Sequence, residues 1–433
     1  MLKRHLGWFL APAGLLSVAV LTLGLAAPSR AGDDSAPPLP ETVKILDASQ
    51  AGDLSVTVRG QGEDRVRFTV KNKSKKRLNV IIPPGLVASA GLGQGGGFQS
   101  MGLGVPTDSP GAFGAFRPTT SSPGFQSMPV APEGLAVSPG QTVEFFVPSV
   151  CLNYGIATPT PKNVFRLMDV DDYTPDARVR KALRSLSTIG TSQGVAQAVM
   201  WHVANGMTLE QLASNGAKYL NSFELAQAAR FVQALDGSGA SDLVEPAYFQ
   251  QERVLVRIVG EGLQAKDAKR LSEELYGARI LGLPARVVGN EEPLNRPGTI
   301  LLNVVLSSSK AGQTAARVNL RHASAFGSWD YLGVADIREA MALSDMKGEA
   351  FALALDRAVA RSFVIATVAR RGTGVTTLKV VNRLPMTIAN IALKTPKDDV
   401  VRLSAVGIGP NKSGSAVIPA ASAIVERVEL NGL

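Results

Sequence analysis

Cys151 is the single cysteine in a chain of 433 residues. No intramolecular disulfide can therefore close a loop, and every element has to be held by burial and hydrogen bonding alone. The constraint is sharper because the chain opens like an exported one. Lys3, Arg4 and His5 precede an apolar run over 10–27, and Ser29-Arg30-Ala31 supplies the small residues that a signal peptidase needs. This layout predicts a signal peptide over 1–31 and a mature chain starting at Gly32 in the periplasm or outside the cell. Pro12 and Gly14 weaken the run as a permanent span, so a membrane is expected as a partner only if the signal stays uncleaved. An unpaired thiol outside the reducing cytosol is explained by an intermolecular bridge, a reactive sulfur or burial.

The formal charge of +9 includes Lys3, Arg4 and Arg30, and losing these three with no acid leaves a mild +6. Basic residues are dispersed except at 71–77 (KNKSKKR), which lies between two strand-like runs and reads as a solvated hairpin tip. With few aromatics nearby and no recognition-helix pattern, nucleic acid is not an expected partner. An envelope protein or glycan is.

Periodicity divides the chain. Residues 32–42 form a polar, Pro-rich linker. Over 43–150 apolar residues alternate: Leu54, Val56 and Val58, then Val66, Phe68 and Val70, then Val143, Phe145 and Val147. That pattern predicts a β-sandwich. A low-complexity insertion at 88–131, with FQSM at 98–101 and again at 125–128, reads as a mobile loop whose Phe98, Phe113, Phe116 and Phe125 could dock a partner.

After Cys151 the period becomes helical. Val179, Ala182, Leu183 and Leu186 define a helix over 176–187, and an apolar helix follows at 195–204. Thr208 and Gln211 form a capping box, and a fourth helix ends at Gly237, which makes 151–237 a helical unit.

Residues 250–370 read as an α+β domain with helices at 334–344 and 349–361 and a strand at 363–368. Residues 374–433 alternate again as a small β-sandwich. There TTLKVVNRLPMTIANIALK repeats the plan of VRFTVKNKSKKRLNVII, with Asn382 in the place of Asn72, as a duplication would leave it. The predicted class is a multi-domain α+β protein.

Chemistry is sparse. Beyond the signal only His202 and His322 remain, so a His-rich metal site is excluded. The expectation is that no GxSxG, SxxK or HExxH motif is present, and no cofactor is implied. Asp169, Asp171 and Asp172 are the nearest approach to a cation site, although the Gly and distal Glu of a calcium loop are missing. The apolar helix holds a better lead. Gln197, Met200, Trp201 and Ala204 share one face, which carries a polar amide into the core beside His202.

The stretch AQAVMW at 196–201 resembles the TQxA segment, followed by an apolar residue and Trp, of bacterial surface thioester domains. Gln197 and Trp201 match, while Ala196 and Val199 stand where the motif has Thr and Ala. The resemblance implies an internal Cys151–Gln197 thioester in an adhesin-like module. More broadly, CLNYG, a Pro-rich turn and QxxxW are similar to a pattern in uncharacterised exported, planctomycete-like bacterial proteins, which implies export and a modular β-rich structure. Three functions follow in order: a non-catalytic structural or interaction protein of the cell envelope, a covalent adhesin-like module, and an envelope hydrolase.

Overall fold

Alternating apolar residues build the first part of the chain as strands. The computed structural model describes residues 40–90, 99–104, 116–118, 134–189, 191–216, 220–262, 264–307, 313–394, 400–402, 408–419 and 427–432, which form a mixed α+β structure. The expected signal peptide, most of the linker and the second FQSM lie outside these residues. No helix among them is long and apolar enough to cross a membrane.

The chain begins with β1 (Glu41–Lys44), α1 (Ile45–Gln50), β2 (Leu54–Gly60), β3 (Arg65–Asn72), β4 (Leu78–Ile81), β5 (Leu86–Ser89), β6 (Met101–Leu103), β7 (Phe116–Pro118), β8 (Leu135–Val137), β9 (Thr142–Cys151) and β10 (Val164–Asp169). In place of a sandwich, six of these strands close a barrel in the order β10-β2-β3-β9-β6-β5. Two strands that change partner along their length make the closure. β9 pairs with β3 as far as Pro148 and with β6 from Ser149 to Cys151, while β10 pairs with β2 and then with β5. A ten-residue strand passing from one sheet to the other joins two layers into one wall.

Alternation then sorts the end of β9. Cys151 faces the barrel interior with Phe68 and Met101, whereas Val150 and Leu152 face the helices.

Three further expectations are corrected here. Glu41 and Thr42, placed in the linker, lie in β1, which runs parallel to β4. The basic stretch 71–77 is no hairpin tip, because β3 and β4 belong to different sheets and the segment crosses between them. The insertion at 88–131 is not wholly a surface loop, since Met101 and Leu103 are buried barrel residues. A Cβ at Gly102 would lie 2.7 Å from Leu183 Cδ1, 3.2 Å from Leu152 Cδ2 and 3.3 Å from Val150 Cγ2, so glycine lets these side chains pack directly on β6.

That helical layer comprises α2 (Val170–Tyr173), α3 (Ala177–Ile189), α4 (Gln193–Asn205), α5 (Leu209–Asn215), α6 (Ser222–Gly237) and α7 (Pro246–Gln250). It starts at Val170, not at Cys151, because 164–169 completes the barrel as β10. The N-termini follow their capping residues: Ser192 for α4, and the boxes Thr208/Gln211 for α5 and Asn221/Glu224 for α6.

The next layer holds β11 (Val254–Val259), α8 (Gln264–Glu274), β12 (Arg279–Ile280), β13 (Leu283–Val287), β14 (Ile300–Ser307), β15 (Thr314–Ala323), β16 (Trp329–Glu339) and α9 (Gly348–Phe363). Its six strands run in the order β12-β13-β11-β14-β15-β16, with β11 parallel to both neighbours. The expected helix over 334–344 is instead largely β16. Ala335 and Ile337 are buried two residues apart, and pairing along the whole of β15 overrides the local pattern.

The chain ends with β17 (Val364–Arg371), β18 (Val375–Asn382), β19 (Ile388–Lys394), β20 (Val400–Arg402), β21 (Ser413–Pro419) and β22 (Arg427–Gly432). They form sheets ordered β17-β18-β21-β7 and β20-β19-β22. β17 therefore belongs here and not to the preceding α+β layer. Leu378, Val380 and Ile388 share one core with that layer.

The correspondence of Asn72 with Asn382 holds atom by atom. Asn72 Oδ1 accepts from the Ser74 N–H, and its Nδ2 donates to the Lys76 and Val137 carbonyls at 2.8 and 2.9 Å. Asn382 Oδ1 accepts from the Leu384 N–H, and its Nδ2 donates to the Met386 and Ile408 carbonyls at 2.8 and 3.0 Å. Each asparagine also donates its backbone N–H to a turn, at Gln141 and at Lys412. Both turns place Pro (Pro139, Pro410) before a left-handed residue (Gly140 at φ +72°, Asn411 at φ +54°), the signature of a type II turn. The second turn delivers Lys412 to the site described next.

Candidate functional site

Helix α4 hydrogen-bonds the backbone of one strand through a row of amides. Gln193, Gln197, Trp201 and Asn205 recur every four residues and share a face. Gln193 Nε2 donates to the Ser149 carbonyl. Gln197 Oε1 accepts from the Cys151 N–H at 2.8 Å, while its Nε2 donates to the Cys151 carbonyl at 2.9 Å. Asn205 donates to the Leu152 carbonyl and accepts from the Tyr154 N–H. Side chains thus do for 149–154 what a neighbouring strand would do. The helix ends at Gly206 (φ +67°), where the Met207 N–H reaches back to the Trp201 carbonyl.

The two residues picked from sequence are therefore in contact, through the amide of one and the peptide of the other. The thiol itself points elsewhere, with Sγ 3.6 Å from the Glu63 carbonyl oxygen and the residue 3 % exposed. Burial, aided by the negative charges of Glu63 and Asp64, pushes this thiol up to about 12. It is held protonated at neutral pH, which is the opposite of an activated nucleophile.

Above the Cys151–Gln197 contact opens a cavity of about 650 Å³. Three separate parts of the fold wall it: the β2–β3 turn with Glu63, Asp64 and Arg65, helix α4 with Gln193, Gln197 and Trp201, and the C-terminal turn with Lys412. Cys151, Tyr154, Thr158 and Gln99 line it as well. Lys412 Nζ lies 3.6 Å from Glu224, a buried carboxylate whose pKa burial raises and Lys412 lowers in part. Among the described residues, three buried polar atoms of the lining residues have no hydrogen-bond partner: Gln99 Oε1, Gln193 Oε1 and Trp201 Nε1. Gln99, Gln193 and Lys412 are not among the candidates read from sequence. The four-residue spacing of Gln193 before Gln197 was a usable signal for one, but Gln99 and Lys412 reach the site only through tertiary structure.

The remaining candidates lie elsewhere. His202 sits in the last turn of α4, with Nδ1 2.7 Å from the Met207 carbonyl, and does not line the cavity. Asp169 caps α2, and Arg184 binds both Asp169 and Asp171 at 3.1 and 2.6 Å. The hydrogen bond from Arg184 lowers the Asp171 pKa. Arginines thus occupy these carboxylates, and among the described residues no cluster of three or more His, Cys, Asp or Glu could hold a metal ion.

The expectation that GxSxG and SxxK are absent is corrected: Ser192 stands in GTSQG at 190–194, which carries G-x-S-x-G spacing. It lacks the strained strand-to-helix turn of a nucleophile: its backbone is extended (φ −67°, ψ 157°), and its hydroxyl donates to Glu224 while capping α4. Ser344 of the S-x-x-K stretch at 344–347 donates to Asp345 in an exposed turn.

The chain matches no protein-family model and no curated protein.

Proposed function

We propose that this is an exported, non-catalytic interaction protein of the bacterial cell envelope, and that the cavity beside Cys151 and Gln197 is where it meets its partner. One observation carries the reading: barrel rim, helical layer and C-terminal turn each place polar side chains around one open space of about 650 Å³, a size typical of ligand sites. The protonated thiol and the capping role of Ser192 argue for binding over catalysis. In this reading the C-terminal β module supplies Lys412. The test has two parts. Protein purified from an envelope fraction should begin at Gly32, and solubilised envelope extract should protect 193–201 from hydrogen exchange. A chain retaining Met1 in the cytoplasm, or unchanged exchange in 193–201, would sink the proposal.

The adjacency of Cys151 and Gln197 supports a second reading, the internal thioester, which requires the sulfur to turn from the Glu63 carbonyl to the Gln197 carboxamide. Sγ would bond to the Gln197 carboxamide carbon, the C–N bond would break, and ammonia would leave with the thiol proton. The acyl group could then pass to an amine or hydroxyl of a partner, regenerating the thiol. Intact mass decides: this reading requires the mature chain to be lighter by one ammonia and to gain mass with methylamine.

A further inference from the structure

We infer that the hairpin of β17 and β18 is a docking surface for a bilayer with anionic lipid headgroups. It belongs to a different part of the chain from the cavity and does not rest on the role proposed above. Between Asp356 and Asp398 the sequence has no acid and eight Lys or Arg. Four of these, Arg370, Arg371, Lys379 and Arg383, are exposed on or just after the hairpin, and none makes an ion pair among the described residues. Arginines elsewhere in the chain are paired, as Arg178 is with Asp236, Arg184 with Asp171 and Arg317 with Asp336.

Strand register sorts the hairpin into two faces. Leu378 pairs with Val368 and Val380 with Ala366, and Leu378 and Val380 turn into the core. The opposite face carries Lys379 against Thr367 and Arg370 against Thr377. A bulge after Val368 puts Arg370 on that face, so two cations share it with no acid among them. β17 is the outer strand of its sheet, and every residue from Thr367 to Val375 is exposed. The tip is closed by a tight turn in which the Gly372 N–H donates to the Val375 carbonyl at 2.8 Å and Gly374 takes φ +70°.

The tip carries apolar groups as well as charge: Val368 and Val375 are 40 % and 45 % exposed. A soluble polyanion would engage the cations and leave the valines in water. A bilayer surface uses both, since lipid phosphates meet the guanidinium groups while the apolar side chains sink below the headgroups. Nucleic acid fits less well, because 364–383 has no aromatic side chain on which a base could stack. The contact is peripheral and needs no membrane-spanning segment.

The experiment sediments the full mature chain with vesicles of phosphatidylglycerol and phosphatidylcholine in equal parts, or of phosphatidylcholine alone. Binding should require the anionic lipid and weaken with added salt. Arg370→Gln with Arg371→Gln should lower the partition coefficient about thirtyfold, at about fivefold for each cation near an anionic surface, with no change in Tm. Lys73→Gln with Lys75→Gln removes the same charge from exposed positions in the first basic stretch, and should leave binding nearly unchanged. Val368→Ser with Val375→Ser should weaken vesicle binding without altering retention on heparin. Equal losses in the two charge variants would overturn the assignment, since net charge and not the hairpin would then be responsible. So would binding to phosphatidylcholine alone as tight as to the mixture, or no binding to either. Vesicle binding that the serine variant leaves intact would overturn the bilayer in favour of a soluble anionic polymer.

Discussion

Gln197 holds Cys151 by both ends of its carboxamide, accepting from its N–H at 2.8 Å and donating to its carbonyl at 2.9 Å. A side chain on α4 thereby finishes the pairing of β9 where the barrel wall ends. Gln197→Leu should strip both partners from this buried peptide and lower stability by about 2–4 kcal/mol, one increment for each orphaned group. Gln197→Glu should cost at least as much, because it removes the donor and buries a charge. Urea unfolding measures both, and a loss below about 1 kcal/mol would mean that the contact contributes little.

The thiol of Cys151 should be inert in the native protein. With its pKa pushed up to about 12, only about one molecule in ten thousand carries the thiolate at pH 8. Labelling by a disulfide reagent should therefore be slow until urea unfolds the chain, and its rate should follow the unfolding transition. Rapid native labelling would instead indicate a reactive sulfur.

Asn72→Ala and Asn382→Ala should be matched in effect. Each removes two or three donations from Nδ2 and the acceptances at Oδ1, two for Asn72 and one for Asn382, so each should lose about 2–4 kcal/mol. Asp should rescue neither, since a carboxylate cannot donate to the carbonyls that face it. Denaturant melts of the two alanine variants test whether the equivalent turns bear equivalent weight.

Acid should destabilise the protein partly through His322. This residue is 1 % exposed on β15, edge-to-face with Phe223 at 4.8 Å, and neither ring nitrogen has a partner among the described residues. Burial, opposed weakly by Asp330, lowers its pKa from 6.5 to about 4. Between those values the unfolded chain binds the extra proton, so stability present above pH 6.5 is lost as the pH falls toward 4. The linkage is about 3 kcal/mol. His322→Phe should flatten this part of the pH profile, as thermal melts between pH 7 and pH 4 would show.

The alternation of Val66, Phe68 and Val70 and the helical spacing of Val179, Ala182, Leu183 and Leu186 were sufficient to place β3 and α3, because period and burial are local properties of the chain. The capping box behaved likewise at Thr208 and Gln211, where each side chain meets a backbone group a turn away. The duplicated asparagine was legible too, since its partners at i+2 and i+4 lie within the turn it organises. Barrel closure was not. Whether β9 stops in one sheet or crosses to β6 depends on a strand nearly fifty residues earlier. β16 was misread as helix because Val334 to Ile337 carries no local signal as strong as ten residues of pairing with β15.

The candidate site divides in the same way. Its helix face, with Gln197 and Trp201, was visible in the sequence as one stripe on an apolar helix. That Gln197 would grip the peptide of Cys151 and not its sulfur was decided by tertiary structure. So was the arrival of Gln99 and Lys412 at the same cavity from opposite parts of the chain. Distances between side chains far apart in sequence depend on how sheets close and layers pack, and no residue encodes that alone.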